Sequence, residues 1–215
     1  MRSPLVFFAS TLNLLAVLST PAFAMAQQWD FEVFLDKRAI GRHVFTLDEA
    51  GGRTAVTTRA DFRVRFLGIN AYQYTHQNAE VWENGCLIEI DATTDDNGDA
   101  LFVRGRARQD SFELETQSGR DAIGSCPATF AYWDLSVLAR ADRLLNAQTG
   151  QQVPFTLTEL GDETLGIRGQ NVEARRYQLT ADGMNIWLWY AKADDAWLQL
   201  DSVTRSGKRL RYRLQ

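Results

Sequence analysis

Histidine and cysteine are scarce in this chain, with two of each among 215 residues. A zinc site needs three or four nitrogen, sulfur or carboxylate ligands at close spacing, and His43, between Arg42 and Val44, stands far from His76, which has polar neighbours. They read as surface or edge residues. Cys86 and Cys126 lack the C-x-x-C spacing that tunes a reactive thiolate. A G-x-S-x-G elbow, or any comparable serine–histidine–acid context for a nucleophile, is missing. So are internal repeats, low-complexity tracts and linker-like stretches. Basic charge is not in excess either: 23 Lys and Arg stand against 27 Asp and Glu, a formal net charge of −4, which speaks against nucleic acid as a partner.

One long apolar run is present, and it lies at the start. Met1-Arg2 is basic, Leu5 to Leu18 is apolar apart from Ser10, Thr11 and Asn13, and Pro21-Ala22-Phe23-Ala24 ends in small residues with signal-peptidase spacing. Residues 1–24 are therefore expected to be a cleaved signal peptide, with Ala26 as a second possible cut. Residues 25–215 would form one β domain, periplasmic or secreted. The leader carries only Arg2, so its removal takes the net charge to −5. Later stretches fall short of the roughly 20 apolar residues of a transmembrane helix, so no membrane anchor is expected. In an oxidising compartment Cys86 and Cys126 are expected to pair, and closing such a loop stabilises a fold by about 3 to 4 kcal/mol.

Three turn signals allow a strand register to be read. Asn84-Gly85, Asn97-Gly98 and Gln109-Asp110 each separate runs of alternating character, and Asn-Gly favours a two-residue hairpin loop because both residues tolerate positive φ. The register then places Val81 opposite Ile88, Ile88 opposite Ala107, Ile90 opposite Gly105 and Ala92 opposite Val103, with Gly105 and Ala107 opposite Leu114 and Phe112. The other face becomes a ladder of acid, base, acid: Glu89 and Asp91, then Arg106 and Arg104, then Glu113 and Glu115. Exposed cross-strand pairs are worth a few tenths of a kcal/mol each. A one-residue slip, however, would bury six charges.

Similar alternation marks residues 29–35, 40–47, 53–66, 72–83, 155–160, 172–180, 185–192, 197–204 and 208–214. The expected fold is mainly β: a long antiparallel meander of about ten strands, curved into a half-barrel or open barrel. One short helix is expected after Asp134, a residue suited to an N-cap. The segment from Cys126 to Leu145, held by the bridge, would cover the apolar face as a short helical plug.

Several segments carry a resemblance: Trp29 to Asp36, Ile40-Gly41-Arg42-His43, Trp82 to Leu87, Thr94 to Gly98, Cys126 to Trp133, and Leu144-Leu145-Asn146 with Gln148-Thr149-Gly150. Together they resemble a domain-of-unknown-function family of exported bacterial β-proteins with no assigned activity. The likeness spans nearly all of the chain after the leader. It implies the compartment and the β fold, and it supplies no catalytic or binding residues.

Asp95-Asp96-Asn97-Gly98-Asp99 has acid spacing reminiscent of a calcium loop, but glycine is not at the sixth position and Arg106 occupies the twelfth, where a bidentate acid belongs. A hairpin turn accounts for it, and no metal or cofactor is expected. Arg209, Arg211 and Arg213 alternate along the last run and could face anionic head groups or simply pair with acids. The aromatic residues are the remaining candidates. Trp133, Trp187, Trp189 and Tyr190 are the expected wall of a hydrophobic ligand site, whereas packing, with Trp189 stacked on Arg176, is the plainer reading. The expected function is non-enzymatic: a protein holding a lipid-like or other hydrophobic small molecule inside the curved sheet. The alternative is a structural or protein-interaction component of the cell envelope with a filled core.

Overall fold

The computed structural model describes residues 26–66, 69–204 and 207–215. The expected signal peptide lies outside the described residues. Among the described residues are fifteen strands and one helix: β1 (Gln27–Leu35), β2 (Arg38–Ala50), β3 (Arg53–Phe66), β4 (Ile69–Glu83), β5 (Cys86–Asp96), β6 (Asp99–Ala107), β7 (Ser111–Thr116), β8 (Gly119–Gly124), β9 (Ala128–Thr129), α1 (Leu135–Arg140), β10 (Arg143–Leu145), β11 (Gln152–Ile167), β12 (Gln170–Ala181), β13 (Met184–Ala191), β14 (Trp197–Val203) and β15 (Arg209–Leu214). The expected ten or so strands is an undercount. All fifteen belong to one sheet, ordered β8 back to β1, then β15 back to β9. Every pairing is antiparallel except β9 with β10. The first and last long strands pair directly, Phe31 opposite Leu214 and Val33 opposite Tyr212, so the meander is continuous across the two ends of the chain.

Turn chemistry sets the hairpins. Asn84, Asn97 and Asp182 have φ near +50°, each followed by a glycine of positive φ, which is the left-handed pair that a right-twisted two-residue hairpin demands. The ladder forms as read: Glu89 faces Arg106, Asp91 faces Arg104, and these face Glu113 and Glu115. Gly105 is required for packing, since a Cβ there would lie 2.3 Å from the Phe112 ring.

Two expected pairings fail, both at Ile88. Beyond the Asn84-Gly85 turn the register shifts: Trp82 pairs with Leu87 and Val81 with Glu89, leaving Ile88 as the extra residue of a bulge. Val81 therefore does not face Ile88, and Ile88 drops out of the ladder toward Ala107. The bulge puts Trp82 and Leu87 inside, 2% and 0% exposed, while Val81 and Ile88 are half-buried. The larger apolar area of the indole favours that exchange.

The sheet rolls without closing. Only residues 125–127 separate β8 from β9, its two edge strands, and no ladder joins them among the described residues. The segment that follows is not a separate helical plug. Helix α1 has six residues, with the Asp134 carboxylate accepting from the Ser136 and Val137 amides at 2.8 and 3.2 Å. The rest is turns and extended chain that add β9 and β10 to the sheet. Buried backbone must be hydrogen-bonded, and pairing Leu144 with Val153 achieves this where a bare loop would not. Cys86 and Cys126 form the disulfide, and Leu87 donates its amide to the Pro127 carbonyl at 3.3 Å.

Candidate functional site

The concave face holds the most unusual chemistry of the molecule. Along β4, Tyr74, His76, Asn78, Glu80 and Trp82 are all buried, so four polar side chains in sequence point inward. All six tyrosines of the chain belong to the same core, either buried in it or packed against it. His43 joins them from β2, stacked on Phe45 at 4.2 Å and 3.4 Å from the Tyr212 hydroxyl through Nδ1. Both histidines thus lie inside the roll, which corrects the surface or edge placement expected of them.

Burial controls the charge states here. It pushes the His43 pKa down to about 3, helped by the nearby His76, and that of His76 down to about 4. Both imidazoles are neutral at physiological pH. His76 Nδ1 lies 2.8 Å from the Thr94 hydroxyl, so each histidine is matched to a hydroxyl rather than to the carboxylate that would arm a general base. Glu80 is a buried carboxyl whose pKa is raised by desolvation, against the pull of hydrogen bonds from Asn78, Trp82 and Thr129. Asn78 Nδ2 donates to it at 2.8 Å and Trp82 Nε1 at 2.9 Å. Glu80 therefore ties β4 to β9. His43 Nε2 and Asn78 Oδ1 are buried and have no hydrogen-bond partner among the described residues.

Space inside the roll is taken by protein. Ala131, Val137, Leu138, Leu144 and Leu145 are buried in the one large core. Tyr132 packs against Trp197 at 5.7 Å, and Trp133 meets Trp82 edge-on at 5.6 Å. The segment after the bridge so reaches strands from both halves of the sheet.

The four aromatic candidates do not share one wall. Trp133 and Tyr190 are on the concave side, where the Tyr190 hydroxyl donates to the Tyr132 carbonyl at 2.8 Å. Trp187 and Trp189 alternate to the opposite face, in a second cluster with Ala174, Ala191 and Leu198. There Arg176 lies 5.2 Å over the Trp189 ring, and Trp189 Nε1 donates to Glu163 at 2.5 Å. The β11–β12 hairpin covers this cluster and reaches the C-terminus, with Arg168 donating to the Gln215 carbonyl.

The outer face carries two shallow grooves. One is lined by the charge ladder, including Glu89, Arg104, Arg106 and Glu113, and its ions pair with each other, as in Arg106 with Glu89 at 2.9 Å and Arg104 with Asp91 at 3.6 Å. The other is lined by small polar residues such as Thr46, Thr57 and Thr93. At the Asp95–Asp99 turn the Gly98 amide is bonded to the Asp95 carboxylate at 2.7 Å. Among the described residues no group of three or more His, Cys, Asp or Glu is placed to hold a metal ion, and no helix is long and apolar enough to cross a membrane. Of the C-terminal arginines, Arg213 pairs with Asp201 at 2.7 Å, Arg211 donates to the Asp36 carbonyl, and Arg209 is exposed.

What emerges is a mainly β protein: one rolled, unclosed antiparallel sheet pinned by a single disulfide around a polar-aromatic core. The chain belongs to the family described as Domain of unknown function (DUF6134), whose model matches residues 31–215. No curated protein and no solved structure matches it.

Sequence reasoning missed the inward row of β4. Gln73, Thr75 and Gln77 alternate with Tyr74, His76 and Asn78, so polar residues occupy both faces and alternation carries no sign of which is inside. Register could not supply the sign either: with Val81 opposite Ile88, Ala79 and Gln77 would lie beside Ile90 and Ala92, and only the bulge at Ile88 brings Glu80 and Asn78 there.

Proposed function

We propose that this is a non-enzymatic protein of the exported compartment that works through its outer surface, its interior being a filled structural core. The supporting observation is the segment 126–145, whose apolar side chains occupy the concave face that a hydrophobic ligand would need. The reading of an enzyme has little support: the buried histidines pair with hydroxyls, and the outer carboxylates pair with arginines.

A second reading, a small ligand held inside the roll, draws on His43 Nε2 and Asn78 Oδ1, two buried polar atoms lacking partners. Buried polar groups are nearly always satisfied, and a ligand bearing one acceptor and one donor would satisfy both. Native mass spectrometry separates the readings. The protein is purified without detergent and washed in about 1 M salt, where electrostatic screening acts within about 3 Å and surface-bound lipid is released. The mass of the bare, bridged chain, together with no uptake of a fluorescent fatty acid, is the expected result. A lipid or small molecule retained through the wash overturns it.

A further inference from the structure

We propose that one end of the rolled sheet, where the start of β15, the β1–β2 turn and the end of β3 lie side by side, docks onto an anionic phospholipid surface. Backbone contacts gather these ends. The Asp36 amide donates to the Arg209 carbonyl at 2.7 Å, and the Arg209 amide to the Asp36 carboxylate at 3.0 Å. Arg38 donates through Nη1 to the Arg65 carbonyl at 2.6 Å, joining the end of β3 to the start of β2.

The result is a concentration of like charge. Lys37, Arg38, Arg63, Lys208 and Arg209 are all exposed there. Two acids stand among them: Asp36, which is occupied by the Arg209 amide, and Asp61, 3.3 Å from Arg63. The rest of the molecule does not look like this. The chain carries a net charge of −4, and the arginines of the β5–β8 ladder are matched to acids. The neighbouring β5–β6 turn has the opposite sign, with Asp95, Asp96 and Asp99. That boundary confines the cationic patch to one side of one end.

Its layout suits a surface better than a single anion. A phosphate is gripped by donors that converge on one point, such as a nest of amides or a bidentate guanidinium. These cations instead stand on three separate strand ends and spread outward. Charges so dispersed act together only on an extended negative plane, where each is worth about fivefold in affinity and where salt weakens the whole. The inference rests on the reading of the outer surface as the working one, and it names the partner chemistry of that surface.

Co-sedimentation with lipid vesicles at low ionic strength tests it, using the intact bridged protein. Vesicles of phosphatidylcholine with a third phosphatidylglycerol are expected to bind the protein, and pure phosphatidylcholine is not. The triple variant Lys37→Gln, Arg63→Gln, Lys208→Gln should bind about a hundredfold more weakly by the per-charge factor. A control that removes the same charge elsewhere, Arg53→Gln, Arg59→Gln, Arg108→Gln, should bind as the parent does. Failure to bind anionic vesicles overturns the proposal, as does equal weakening in both variants. Displacement by inorganic phosphate at constant ionic strength would also overturn it, by showing a phosphate site. None of these outcomes bears on whether the core holds a ligand, which the salt-washed mass measurement decides.

Discussion

At the scale of single residues, the buried histidines make the clearest demand on the fold. His76 is 7% exposed, and its imidazole stays neutral in the folded chain down to about pH 4, that of His43 down to about pH 3. In the unfolded chain both take up a proton near the ordinary value of about 6.5. The unfolded state therefore binds more protons as pH falls, and stability is lost as acid is added. The contribution is present in full above pH 6.5 and declines toward pH 4 for His76 and toward pH 3 for His43. Glu80 works in the opposite sense, because its raised pKa makes stability fall as pH rises. Comparing His76→Gln with the parent cancels that term. Urea titrations from pH 7 to pH 4 should show the parent losing up to about 1.4 kcal/mol per pH unit relative to the variant below pH 6.5. Parallel curves would mean that His76 is solvated.

At the scale of elements, backbone geometry outweighs the visible ion pairs. Gly98 has φ of +101° and a Cβ there would touch nothing, so a side chain is resisted by conformation alone. Gly98→Ala should destabilise by about 1 to 2 kcal/mol. Arg106→Gln breaks a 2.9 Å ion pair with Glu89, yet both side chains are about half exposed, and its loss should cost less than about 0.5 kcal/mol. Equilibrium unfolding of the two variants checks the ranking, and a larger loss for Arg106→Gln would reverse it. The same contrast explains what could be read in advance. The β5–β7 register was legible because both faces carried information: Ile90, Ala92 and Val103 on one side, six alternating charges on the other. The helix at Leu135 was legible from its Asp134 cap. Strands β9 and β10 were not, because two or three residues show no period, and Gly119–Gly124 hides β8 behind glycines and mixed charge. The bulge at Ile88 was hidden as well, since both registers offer apolar pairs and only the packing of Trp82 decides between them.

For the whole molecule, the question is what keeps an unclosed fifteen-stranded roll from opening. Closed barrels have no edges, and an open sheet must hold its edges by other means. Here residues 125–127 carry the chain from one edge strand to the other, and three fastenings tie the segment that follows onto β4 and β5: the Cys86–Cys126 bridge, the Leu87 amide on the Pro127 carbonyl, and Glu80 bonded to Thr129. Behind them the segment up to Leu145 supplies part of the core, so freeing it would expose Val137, Leu138, Leu144 and Leu145 together. The bridge spans a sequence separation of 40, and restricting a loop of that size in the unfolded chain contributes about 3 to 4 kcal/mol. For a chain of this length a kcal/mol moves Tm by about 2 to 4 °C. Cys86→Ser should accordingly lower the Tm by roughly 10 °C. The native sheet should survive at room temperature, because the other two fastenings and the core do not depend on sulfur. Binding to anionic vesicles should be unchanged in that variant, since the cations lie at the start of β15, the β1–β2 turn and the end of β3, away from the seam. Circular dichroism melting follows the first expectation and co-sedimentation the second. A variant that melts with the parent, or a purified native protein with two titratable thiols, would show that the seam is held without the bridge.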